Sequence, residues 1–132
     1  MGMGRLIADT HAIVWLLTAP QKLGAAARRA FQAADEGRTL CCVPAIVLVE
    51  IELLKERGRV VVGAEDVLRV LAGRSGYAVV ALDTDQALEF AGLVGLKDPM
   101  DRLVVAAARA TGSRLVSVDD ALDGFGVERV WD

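Results

Sequence analysis

The chain has 132 residues, 54% of them hydrophobic, and a net charge of −3. That length suits a single domain, residues 1–132, able to bury roughly two thirds of the surface its unfolded form exposes. No apolar run approaches the ~18 residues needed to span a bilayer, and a negative chain does not grip a polyanion with a uniformly basic surface, so any nucleic acid must be held locally. The opening Met1 to Arg5 carries no leader pattern, so a cytoplasmic protein is expected.

In chain order, Leu6-Ile7-Ala8 reads as a short buried strand stopped by Asp9-Thr10, and Ala12, Ile13, Leu16 and Leu17 then recur at helical spacing. Residues 22 to 36 are Ala- and Arg-rich and read as a helix that Gly37 ends. Thr39 to Val43 reads as a second buried strand. Pro44 suits the first turn of a long helix to about Arg57, which Gly58 stops. A helix led by acids follows over 64–73, then a strand from Tyr77 to Leu82, and a helix capped by Asp83-Thr84-Asp85.

Asp98-Pro99-Met100-Asp101 opens the next helix, which ends near Thr111-Gly112. Leu115 to Val118 forms a fourth strand, and Val127 to Trp131 a possible edge strand. Strands that alternate with helices and read as continuous apolar runs predict an α/β fold, a mostly parallel sheet of four to five strands covered by helices on both faces. In such sheets ligands gather outside the carboxyl ends of the strands, which is where the acids fall.

Cys41 and Cys42 are adjacent in a strand, so their side chains point to opposite faces and an ordinary bridge between them is geometrically poor. They read as reduced packing residues. With a single His in the chain, a zinc site has no ligand set.

Each acid has a structural reading beside a chemical one. Asp9 is placed to cap the helix it precedes. Asp98 at the N-cap, Pro99 at N1 and Asp101 at N3 form a capping arrangement that the helix dipole favours, and Asp119 is placed to cap the turn at Asp120. Glu50 has Ile46, Val47, Leu53 and Leu54 as its helical neighbours, so its carboxylate should leave a buried face and need an arginine, a metal or a proton. Together, Asp9, Glu50, Asp101 and Asp119 would repel one another unless cations stood between them. An oxygen-only ligand set suits Mg²⁺ or Mn²⁺, and that chemistry is phosphodiester hydrolysis.

Leu6 to Leu17 with its Asp9-Thr10-His11 opening, Val49-Glu50-Ile51, Asp98-Pro99-Met100-Asp101-Arg102-Leu103 and Leu115-Val116-Ser117-Val118-Asp119 together resemble the ordered motifs of PIN-domain ribonucleases, specifically the VapC-type toxins of bacterial toxin-antitoxin pairs. Ser117 stands where that family usually has Thr, and Met100 where it often has Phe. The resemblance implies a three-layer PIN-like fold and a metal-dependent endoribonuclease that acts on RNA. It further implies a homodimer, held inactive by a cognate VapB-type antitoxin whose tail occupies the active site.

Position by position, the resemblance makes Asp9, Glu50, Asp101 and Asp119 the metal-binding acids, with Asp120 the alternative to Asp119. Thr10 and Ser117 are candidates to position a water or a ligand carboxylate, with local capping the competing role. Arg102 is a candidate to reach a phosphate or the Glu50 region, and His11 is expected to be packed or exposed rather than a ligand.

Two other readings compete. A haloacid-dehalogenase-like phosphatase needs a second Asp two residues after the first, where this chain has His11. A non-catalytic interaction module would use the same acids only as helix caps.

Overall fold

The computed structural model describes residues 4–132; Met1 to Met3, part of the stretch read for a leader, lie outside them. Five strands, β1 (Gly4–Ala8), β2 (Thr39–Pro44), β3 (Tyr77–Val80), β4 (Arg114–Val116) and β5 (Arg129–Val130), form one sheet in the order β3-β2-β1-β4-β5. Every pairing is parallel. Six helices connect and cover them: α1 (Thr10–Thr18), α2 (Ala25–Asp35), α3 (Ala45–Glu56), α4 (Ala64–Ala72), α5 (Thr84–Ala91) and α6 (Pro99–Ala110). Short 3₁₀ turns lie at Pro20–Lys22 and Asp120–Leu122.

Successive strand residues point to opposite faces, so the consecutive burial of Leu6, Ile7 and Ala8 requires both faces of the sheet to be covered. Cys41, Cys42 and Val43 in β2 and Leu115 and Val116 in β4 follow the same rule. The layers are thus helix, sheet, helix, as the apolar runs predict. Both cysteines are free and buried, and burial pushes their thiols up toward the unreactive protonated form.

The chain winds outward from β1 through β2 to β3, then returns to the other side of β1 to lay down β4 and β5. Winding direction therefore reverses between β1 and β4. At such a switch point the connections leave in opposite directions and a crevice opens outside the carboxyl ends of the two strands.

Several boundaries differ from the sequence reading: β4 is Arg114–Val116 rather than 115–118 and β5 is Arg129–Val130 rather than 127–131, and three further differences have a visible physical reason. The helix expected over 22–36 divides into a 3₁₀ turn and α2, because Gly24 lies against the Trp131 backbone, whose carbonyl accepts from Ala27 N at 3.0 Å. Pro44 is the last residue of β2 and the N-cap of α3, not part of its first turn. β3 stops at Val80, which pairs with Pro44, where its neighbour turns away; the Ala81 carbonyl beyond it accepts from the buried Gln86 side chain at 2.9 Å.

Gly76, just before β3, packs so closely on the end of α2 that a Cβ there would fall on the Ala34 carbonyl. Gly76→Ala should lower stability by about 1–3 kcal/mol through overpacking. Gly73→Ala, whose Cβ would meet nothing closer than the Val70 carbonyl at 3.6 Å, should be neutral or stabilising. Denaturant melts of the two variants check this, and equal midpoints would refute the close approach.

Candidate functional site

The crevice between β1 and β4 is built by residues far apart in sequence. Asp9 follows β1 directly, its backbone N–H donating to the Val116 carbonyl at 3.0 Å, so the ends of the two strands are tied. Its side chain does two jobs. One oxygen accepts from Thr10 N at 2.7 Å as the N-cap of α1, and the other accepts from Ser117 Oγ at 2.8 Å. Ser117, fully buried at the end of β4, also takes the Asp119 N–H on its oxygen at 3.1 Å. One hydroxyl therefore locks Asp9 and the start of the Asp119 loop together.

Burial dominates Asp9 and raises its pKa. The Ser117 and Thr10 hydrogen bonds pull it back, and the charge of Glu50 pushes it up again. Asp101, in the first turn of α6, is raised from 3.8 to about 6, first by burial and then by the charges of Asp98, Asp9, Asp119 and Glu50. The N-terminus of a helix stabilises a carboxylate by about 0.3–1 kcal/mol, less than one pKa unit. Desolvation and like charge therefore win over the dipole.

Asp98 explains why Asp101 is free for this. Asp98 Oδ1 alone accepts from Met100 N at 2.8 Å and Asp101 N at 3.2 Å, and among the described residues the Asp101 carboxylate makes no hydrogen bond back to the cap. The capping arrangement predicted from sequence is real for Asp98, and it leaves Asp101 unspent.

Asp119 caps the 3₁₀ turn through Ala121 N at 3.0 Å and still adds to the field at Asp101. Asp120 instead acts on Arg129. Of the two adjacent acids, Asp119 is the one whose charge reaches Asp101.

Glu50 corrects the sequence reading in part. The buried face of α3 is Val47, Leu48 and Ile51, while Leu53 is exposed and Glu50 half-buried. No arginine pairs with it among the described residues, so the salt-bridge alternative fails. Its neighbour Glu52 accepts from Ala64 N at 2.9 Å at the start of α4.

Thr10 does not cap through its side chain. It is buried, and its Oγ1 has no hydrogen-bond partner beside Asp9. Arg102 does not reach Glu50: its Nε donates to the Phe90 carbonyl at 2.8 Å and its guanidinium lies 4.1 Å from the centre of the Phe90 ring, pinning α5 to α6. His11 is exposed and helps Asp9 ionise through its charge.

Sequence reasoning missed Arg129. It holds Asp123 with two bonds, at 2.8 and 3.2 Å, and donates through Nη1 to the Ser117 carbonyl at 3.1 Å, fixing the strand end that presents Ser117 Oγ. Only the pairing of β5 with β4 creates this contact, so no local pattern announces it.

Among the described residues no three Asp, Glu, His or Cys side chains close into a compact cation cage. The acids instead share an open crevice within one another's electrostatic reach. A concavity of about 410 Å³ lies away from the acids, at the amino end of β4 between Arg109, Arg114 and Glu128.

An open, doubly wound parallel α/β sheet with carboxylates gathered at its switch point defines the class. The model of the PIN domain matches residues 6–127, and the chain belongs to the PIN domain family.

Among solved structures, the fold is similar to VapBC2 from Rickettsia felis bound to a fragment of its promoter DNA, with a TM-score of 0.69 and 14% identity over 97% of this chain and 99% of that one. DNA-bound VapBC from Salmonella typhimurium gives 0.64 and 22% over 96% and 97%. The sarcin-ricin loop cleaving toxin VapC20 of Mycobacterium tuberculosis gives 0.63 and 16% over 92% and 95%. No curated protein matches the chain by sequence.

Ser117→Ala should raise the Asp9 pKa further, because the charged form loses its hydroxyl donor, and should cost about 1–3 kcal/mol for the unsatisfied buried oxygen. Carbon-detected titration of the Asp9 carboxyl, with melts of the same variant, reads both. An unmoved titration would refute the Ser117 lock.

Proposed function

We propose that the chain is a metal-dependent endoribonuclease and the toxin of a VapBC-type toxin-antitoxin pair. In this reading Asp9, Glu50, Asp101 and Asp119 hold Mg²⁺ or Mn²⁺. The observation that carries it is that the charges of Asp9, Asp119 and Glu50 all reach Asp101 at the start of α6, whose pKa burial and this like charge raise to about 6. Membership of the PIN domain family and the likeness in fold to VapC chains support it.

The donor set fits such an ion. Every candidate ligand is a hard oxygen, and the buried Thr10 hydroxyl beside Asp9 has a hydrogen bond still to give. When bound, the cation would lower the pKa of a water for in-line attack on phosphorus and neutralise the charge that develops on the phosphoryl oxygens.

The chain's own residues do the positioning. Ser117 fixes the orientation of the Asp9 carboxylate through Oδ2, and Thr10 N fixes Oδ1. Asp98 takes the Met100 and Asp101 N–H groups, which leaves the Asp101 carboxylate free of the capping duty. Thr10 Oγ1 is placed to orient a water or a ligand oxygen. A cognate VapB-type antitoxin, a homodimeric state and a cytoplasmic location complete the proposal. The toxin-antitoxin complexes among the similar folds support the antitoxin partner.

The decisive test is cleavage of labelled RNA by the purified chain with Mg²⁺ or Mn²⁺. Asp101→Asn should abolish cleavage while circular dichroism and melting show a folded protein. Undiminished cleavage in that variant would refute the site.

A second expectation concerns pH. A carboxyl raised in the folded state binds more protons there than in the unfolded chain, so the slope of stability with pH is negative between the two pKa values. Metal-free protein should therefore become more stable as pH falls from 7 toward 4, the window set by Asp101 at about 6 and its ordinary 3.8. Glu36, Asp66 and Asp123, whose pKa values are lowered by their partners, act in the opposite sense at lower pH. Mg²⁺ at pH 7 should raise the melting temperature of the unsubstituted chain and lose that effect in Asp101→Asn. A flat melting temperature from pH 7 to 5 without metal, identical in both proteins, would contradict the crowding of these acids.

A further inference from the structure

The helix that begins at Asp9 carries a second feature away from the acids. His11, Trp15 and Thr18 recur at i, i+4 and i+7 and so share one face of α1; His11 and Thr18 are exposed and Trp15 is half-buried. The rings of His11 and Trp15 stand 5.6 Å apart at 54°, and Trp131, 5.8 Å from Trp15, supports it from the core side.

Trp15 also lines a cavity of about 220 Å³ at the C-terminal end of α1, together with Thr18, Lys22, Arg59 and Val60. Lys22 Nζ is 5.7 Å from the centre of the Trp15 ring. Arg28 is held beside it, its Nη2 donating to the Pro20 and Leu23 carbonyls at 3.5 and 3.4 Å.

No carboxylate lines this cavity. Among the described residues neither Lys22 nor Arg59, the two cations that line the cavity, forms an ion pair. A chain of net charge −3 thus gathers unpaired cations around a surface aromatic. That pairing is the chemistry of single-stranded nucleic acid binding: a base stacks on the ring whatever its identity, and phosphates lie on the cations. α1 has nine residues and rises about 13 Å at about 1.5 Å per residue, so the acids and the cavity are separated by the length of a few nucleotides.

We propose that this aromatic and cationic pocket binds the single-stranded RNA flanking the cleaved bond, with a base on Trp15 and phosphates on Lys22 and Arg59. The assignment rests on the nuclease reading above and adds to it the place where the strand is held.

Anisotropy of a labelled single-stranded RNA oligonucleotide, with Mg²⁺ and the full chain carrying Asp101→Asn to prevent cleavage, measures the binding. Trp15→Ala should weaken it about ten-fold, the loss of one stacked base. Lys22→Gln with Arg59→Gln should reduce the slope of log affinity against log salt by about 1.4, at about 0.7 per phosphate contact on a single strand. With Trp131→Phe, Trp15 is the remaining tryptophan, and RNA should quench its emission. In chains that retain Asp101, both sets of variants should raise KM more than they lower kcat.

Should Trp15→Ala fail to fold, the exposed pair Lys22 and Arg59 carries the test alone. Unchanged affinity, salt slope and KM in an otherwise RNA-cleaving protein would overturn this pocket assignment alone and leave the cavity to a protein partner. An unsubstituted chain that neither binds nor cleaves RNA would sink the nuclease reading and this inference together.

Discussion

The hydrogen bond from Ser117 Oγ to Asp9 Oδ2 joins residues 108 positions apart and closes the gap between β1 and β4 at the point where the sheet changes winding direction. A carboxylate as buried as Asp9 is costly to keep charged, and burial is the strongest influence on its pKa. The hydroxyl and the Thr10 N–H are what make the ionised form tolerable there. Because the same hydroxyl accepts from Asp119 N, the end of β4, the loop after it and the first helix are tied together. Arg129 reinforces this from the edge strand by holding the Ser117 carbonyl.

Around that lock the fold gathers more negative charge than it balances. The ion pairs of the described residues join Arg38 to Glu36, Arg69 to Glu65 and Asp66, Arg109 to Glu89 and Arg129 to Asp123, with Arg74 near Asp35. None serves Asp9, Glu50, Asp101 or Asp119. Exposed pairs of this kind contribute about 0–1 kcal/mol each, whereas a buried or crowded carboxylate without a counter-charge opposes folding. Stability is thus lowered at the crevice, a pattern common where chemistry needs perturbed groups.

The capping roles and the crevice roles of the acids turned out to be compatible rather than competing. Asp9 caps α1 with one oxygen and offers the other to Ser117. Asp119 caps a 3₁₀ turn yet still acts on Asp101. At α6 the two duties are divided between two residues, Asp98 taking the backbone N–H groups and Asp101 facing the other acids. Helix N-termini converge at the carboxyl edge of a parallel sheet, so acids placed there for local reasons are brought together by topology.

The order of strands and helices, and the coverage of both sheet faces, were legible in the sequence because continuous apolar strands alternate with helices closed by clear stop and start residues. Gly37 and Gly58 do adopt the positive φ their places require, 74° and 71°. The places of Asp9, Asp101 and Asp119, each after a strand or at a helix start, were also legible. Glu50 was read as more buried than it is, because periodicity reports a helix's apolar stripe and not which part of the stripe a neighbouring helix covers.

Other features belong to tertiary structure alone. The choice of Asp119 over Asp120, the anchoring of Arg102 on Phe90, the support from Arg129 and the cluster of Trp15, Lys22 and Arg59 all depend on which segments lie side by side. Local sequence governs backbone conformation through propensity, capping and hydrophobic period. Contacts between residues a hundred positions apart are set by sheet order and register, which local patterning does not encode.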